Sequence, residues 1–163
     1  MSLLLPIALV FFLSPAAAAS RTFPGQAKEI RSPDGVLTLF WWEPDAGSSK
    51  HSLLLKAAGS PKSWRIYEFD RSVSVEWSSR GHLLAITDRK TTDGSTTFVY
   101  NPDTQESVDV CAGPIRALGS KWANAHQRYC ELAGWQSPGA LRLRLWGSGS
   151  DGDFDTKTTV AVK

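Results

Sequence analysis

Three histidines, two cysteines and one short acidic loop are the residues of this chain best placed to carry chemistry. His51, His82 and His126 are scattered, and no G-x-S-x-G elbow supplies a hydrolase nucleophile. Gly147-Ser148-Gly149-Ser150 lacks the required spacing, so each histidine reads as a structural residue. No H-E-x-x-H zinc motif is present. Asp151, Asp153 and Asp155 alternate as the first ligands of a calcium loop do, because a hard cation needs several oxygens converging from one turn. The loop departs from that pattern at position six, where Thr156 replaces glycine. Position twelve departs too, with Val162 in place of a bidentate glutamate. The competing reading is a solvated hairpin tip, and no other cofactor is expected.

Carboxylates and cations offer two further groups. Glu68, Asp70 and Glu76 lie on strand-like segments. They resemble a glycosidase pair only if folding brings two of them roughly 5–10 Å apart. Arg142 and Arg144 share one face of a strand whose other face is Leu141, Leu143 and Leu145. Two guanidiniums two residues apart can clamp a carboxylate or sulfate, and with Trp146 they form the candidate binding group. The seven tryptophans include candidates for a sugar-stacking platform, although most are expected in the core. The net charge of +2 excludes a strong electrostatic footprint for nucleic acid or anionic lipid.

Compartment follows from the first residues and from sulfur. Leu3 to Leu13 is an apolar run too short for a bilayer span, which needs roughly 20 residues. Ser14-Pro15 breaks it, and Ala17-Ala18-Ala19 fits a small-residue cleavage rule. Residues 1–19 therefore read as a signal peptide, residues 20–29 as a polar lead-in and residues 30–163 as a single β-rich domain, secreted or periplasmic. No later segment is apolar enough to span a membrane. In an oxidising compartment, Cys111 and Cys130 are expected to form a disulfide.

The elements that would position these groups are mostly strands. Ser32-Pro33-Asp34-Gly35 is a turn, and Val36 to Glu43 follows as a strand apolar on both faces, expected to be buried on both. Val73, Val75 and Trp77 alternate with polar residues as a half-buried strand. Asp93-Gly94 marks a hairpin, and strands over 140–146 and 158–162 close the chain. One helix is expected over 121–133, with Ser120 as N-cap and Gly134 as stop.

An irregular repeat runs through this pattern. Trp77-Ser78-Ser79-Arg80-Gly81-His82-Leu83 is echoed by Trp135-Gln136-Ser137-Pro138-Gly139-Ala140-Leu141 and by Ile30-Arg31-Ser32-Pro33-Asp34-Gly35-Val36. With Asp93-Gly94 and Tyr100-Asn101-Pro102-Asp103 behind the best copy, the segment resembles the blade repeat of TolB-like and WD-type β-propellers. That resemblance implies a mainly β fold of antiparallel, blade-like sheets with one short helix. Three copies are fewer than the four to eight blades of a closed propeller. An open stack, a ring completed by two chains (a homodimer) and a β-sandwich all remain open. The implied function is an exported, non-enzymatic module that binds a protein partner. The alternative is a small secreted glycan-binding protein or hydrolase using Trp and Asp/Glu. Mass spectrometry of the exported protein is expected to find Ser20 at the amino terminus, or Ala19 if cleavage falls one residue earlier; an intact Met1 would refute cleavage.

Overall fold

The computed structural model describes residues 20–25, 28–45 and 47–162, and the expected signal peptide over 1–19 lies outside them. In chain order the strands are β1 (Arg21–Phe23), β2 (Glu29–Arg31), β3 (Leu37–Trp42), β4 (His51–Ala57), β5 (Ser63–Phe69), β6 (Val73–Trp77), β7 (Leu84–Thr91), β8 (Gly94–Asn101) and β9 (Glu106–Asp109). Two short helices follow, α1 (Ala112–Leu118) and α2 (Ser120–Ala123). The chain then completes β10 (Ala125–Ser137), β11 (Ala140–Gly149) and β12 (Phe154–Ala161). The fold is mainly β, in two hydrogen-bonded sheets.

Three antiparallel meanders make up those sheets. One is β2-β3-β4-β5. The second is β6-β7-β8-β9, with β1 added outside β6. The third is β10-β11-β12, joined to the second where Arg128 and Tyr129 of β10 run parallel to Gly94 and Ser95 of β8. The edge of β8 is thus divided: β10 takes its first two residues, and β9 takes Phe98 to Asn101. Gly94 permits the contact, since a Cβ there would stand 2.9 Å from the Arg128 carbonyl oxygen.

Alternation along β7 explains the layering. Leu84 and Ile86 face one core, with Leu39, Leu53 and Leu55 of the first meander and Phe23, Val73, Val75 and Trp77. Leu83, just before the strand, and Ala85 face a second core with Val99, Cys130, Leu141, Leu143 and Leu145. A period of two with apolar residues on both sides requires cover on both sides. The middle meander therefore lies between the other two. Polar side chains secure the second junction. Thr97 Oγ1 donates to the Cys130 carbonyl oxygen at 2.8 Å, and Thr87 donates to Thr97 Oγ1 at 2.9 Å. The Leu132 N–H donates to Thr87 Oγ1 at 3.3 Å. The disulfide between Cys111 and Cys130 is formed, with both residues fully buried.

Three expectations need correction. Residues 121–133 are not one helix: α2 ends at Ala123, and β10 begins at Ala125. Pairing with β11 overrides local propensity there, since Cys130 and Leu132 alternate inward as well in a strand as on a helix face. Gly134 sits at a bulge in β10 with φ of +106° and stops no helix. Around β3, Leu39 is fully buried while Val36 and Trp42 are about half exposed, because β3 lies in an outer layer. The lead-in contributes β1, whose Phe23 is fully buried in the first core.

The turns of the first two repeat copies share one geometry. The N–H of Ser32 donates to the Leu37 carbonyl, and the N–H of Ser78 donates to the Leu83 carbonyl. Gly35 and Gly81 donate back to those same serines, and each serine Oγ accepts from the N–H five residues on. The third copy is tighter, with Ser137 paired directly to Ala140. Removing the buried Thr97 hydroxyl strands the Cys130 carbonyl and Thr87. Thr97→Val is accordingly expected to lower stability by about 1–3 kcal/mol in a denaturant titration; an unchanged midpoint would contradict this account of the junction.

Candidate functional site

On β11, Leu141, Leu143 and Leu145 are buried, and Arg142, Arg144 and Trp146 face outward as their alternation requires. Their outer groups are already engaged. Arg144 donates from Nε and Nη2 to the two carboxylate oxygens of Asp155, at 2.9 and 2.7 Å. That pairing lowers the Asp155 carboxyl and raises the Arg144 guanidinium. The same guanidinium lies 5.4 Å from the centre of the Trp146 ring. Trp146 stacks on Tyr129, its cross-strand neighbour, with centroids 3.9 Å apart. Its Nε1 donates to Glu131 Oε2 at 3.1 Å. Glu131 Oε1 accepts from Arg89, which also donates to Ser74 Oγ, and Ser74 shares a hydrogen bond with Thr22. A polar file thus crosses the larger sheet from β1 to β12. The two arginines do not converge as a clamp. Arg144 is held by Asp155, and Arg142 lies close enough to Glu76 to favour its ionised form against burial, the larger influence.

The acidic loop does not gather its carboxylates. Asp151 accepts from Asn124 Nδ2 at 2.8 Å, and Asp155 is held by Arg144. Among the described residues, no group of three His, Cys, Asp or Glu is placed to hold a metal ion. His51 is buried between the rings of Trp41 and Phe69. His82 lies in the open, 3.8 Å from Asp103. Glu68 pairs with Arg65 on the surface.

The sequence reading missed Asp88. It continues the core-facing parity of Leu84 and Ile86, and it is 1% exposed. Tyr67 donates its hydroxyl to Asp88 Oδ2 at 2.7 Å, whereas Oδ1 has no partner among the described residues. Burial pushes the Asp88 carboxyl up. The Tyr67 hydrogen bond and the Lys90 charge act against that rise, and Asp70 adds to it. Burial likewise pushes the Tyr67 hydroxyl up, reinforced by Asp88. Just beyond Asp88, the register between β7 and β8 slips, between Asp88 and Thr91. A cleft of about 470 Å³ opens there against α2 and the start of β10, lined by Asp88, Lys90, Thr96, Trp122, His126 and Arg128 among others. The visible signal in the sequence is a carboxylate at a core-parity position directly after an apolar run.

A further exposed feature is the outer edge of β12. The Val162 N–H donates to the Gly139 carbonyl oxygen. Alternation in an antiparallel ladder then turns the N–H groups of Asp155, Lys157, Thr159 and Ala161 away from β11. Among the described residues no strand pairs with that edge. No described helix is long and apolar enough to cross a membrane. The chain matches no protein-family model, and a search of curated proteins returns no match.

The raised Asp88 carboxyl fixes the sign of a pH effect. Its folded value lies above its unfolded one, so the stability it contributes is complete below the ordinary carboxylate range. That contribution is lost as pH rises through the folded value. Asp88→Asn removes the dependence. Melting curves from pH 3 to 7 are expected to move in favour of the variant as pH rises; a gap constant with pH would contradict this assignment.

Proposed function

We propose that this chain is an exported, non-enzymatic binding module of three blade-like units in an open stack, and that it recognises a protein by accepting a strand along β12. The carrying observation is the unpaired β12 edge. The first two meanders have four strands each, and the third has three among the described residues. The matching Ser32 and Ser78 turns support the blade reading, as does the face-to-face packing of successive meanders through two separate cores. Export is supported by the leader-like run over 1–19 and by the buried disulfide.

Strand addition needs a row of main-chain donors and acceptors spaced for an extended peptide. β12 offers one over eight residues without a bulge. β5, also at a sheet edge, has a register slip against β4 and leans on the middle meander through Tyr67 and Trp64. Proline is tolerated at an edge where its missing N–H faces solvent, and it is disruptive where the ladder needs that donor. Thr159→Pro removes an outward donor and Thr158→Pro an inward one.

The test combines capture with amide exchange. Proteins captured from the exported fraction are expected to slow exchange at Lys157, Thr159 and Ala161. Thr159→Pro should abolish capture with little change in melting temperature, while Thr158→Pro should destabilise the third meander. Capture that survives Thr159→Pro, with no protection on β12, would sink the proposal. Light scattering separates a foreign partner from a second copy.

A further inference from the structure

We propose that the outward face of the first meander binds an acidic sugar, a ring carrying a carboxylate, in a cleft over Thr38. This goes beyond strand addition at β12 and shares no residue with it, so the failure of one leaves the other standing. Ile30, Leu39 and Leu55 turn into the first core, and alternation turns Glu29, Arg31, Thr38, Phe40 and Lys56 outward. Register sets these residues in rows. Arg31, Thr38 and Lys56 stand directly opposite one another on β2, β3 and β4, and Glu29 stands opposite Phe40 in the next row. Residues opposed in this way share a face. All five line one cleft of about 480 Å³, within the range of small-molecule sites, roughly 300–1,000 Å³.

The lining selects the ligand. Arg31 and Lys56 sit two strand spacings apart, roughly 10 Å at the backbone, with Thr38 between them. Both are exposed, and among the described residues neither forms a salt bridge. Arg144, by contrast, is already occupied by Asp155. Two cations facing one gap suit an oxyanion held between them. Glu29, one row away, accepts hydroxyl groups and repels a second negative charge. Phe40 is partly exposed and offers its ring to the apolar face of a sugar. The aromatic surface continues at Trp42, the next outward residue of β3, which is 49% exposed. A bare phosphate leaves Glu29 and Phe40 idle, a fatty acid leaves Glu29 idle, and a neutral sugar leaves both cations idle. A carboxylated sugar engages every one of them.

Heteronuclear NMR on the whole exported chain tests the assignment. The probes are glucuronate, galacturonate and N-acetylneuraminate, with glucose and acetate as comparisons. At least one acidic sugar is expected to shift the Thr38 and Phe40 amides saturably, and to bind more tightly than glucose or acetate. Arg31→Gln and Lys56→Gln, both at exposed positions, are each expected to weaken that sugar by about fivefold or more. Phe40→Leu keeps the position apolar and is expected to weaken the sugar while leaving acetate unchanged. The proposal is overturned if no acidic sugar shifts these resonances, or if glucose or acetate binds as tightly. Sugar binding unchanged in both charge variants, or in Phe40→Leu, overturns it as well.

Discussion

The middle meander cannot exist alone, because β7 is apolar on both faces. Leu84 and Ile86 would meet water on one side, and Leu83 and Ala85 on the other. Each outer meander supplies one cover. Burial at roughly 25 cal/mol per Å² of apolar surface rewards only the complete arrangement. The order of layers therefore follows from one strand, and after β1, which joins the middle layer, the chain visits first outer, middle and second outer in turn.

That constraint also explains what the sequence shows and hides. The alternation of Val73, Val75 and Trp77 is visible because one face is core and the other meets polar groups. The leucines of β11 are visible for the same reason. Cys111 and Cys130 needed only a compartment to be paired. The segment after Ser120 misleads because Trp122, His126, Cys130 and Ala133 fit a helical face by spacing alone. Only the ladder with β11, a long-range contact, decides for a strand. The apolar run of β3 misleads differently. An exposed tryptophan and valine in an outer layer look, in one dimension, like buried ones.

Polar groups divide into satisfied and unsatisfied, and this division separates two places in the molecule. Arg144, Trp146, Tyr129, Glu131 and Arg89 answer one another across the strands. Their residue types advertise recognition, yet their hydrogen bonds are spent within the molecule. Asp88 is the reverse: a single carboxylate with no motif around it, made conspicuous only by depth and by one vacant oxygen. Residue type located the first group, and only geometry locates the second.

The divided edge of β8 has a mechanical consequence. β9 and β10 leave that strand along different lines, with α1 and α2 between them. The bond from Cys111 to Cys130 closes this excursion into a loop. Tension applied to the two ends of the chain bypasses every residue inside the loop. While the sulfurs stay joined, stretching cannot pay out that length, and the third meander stays tethered to the second even after their packing gives way.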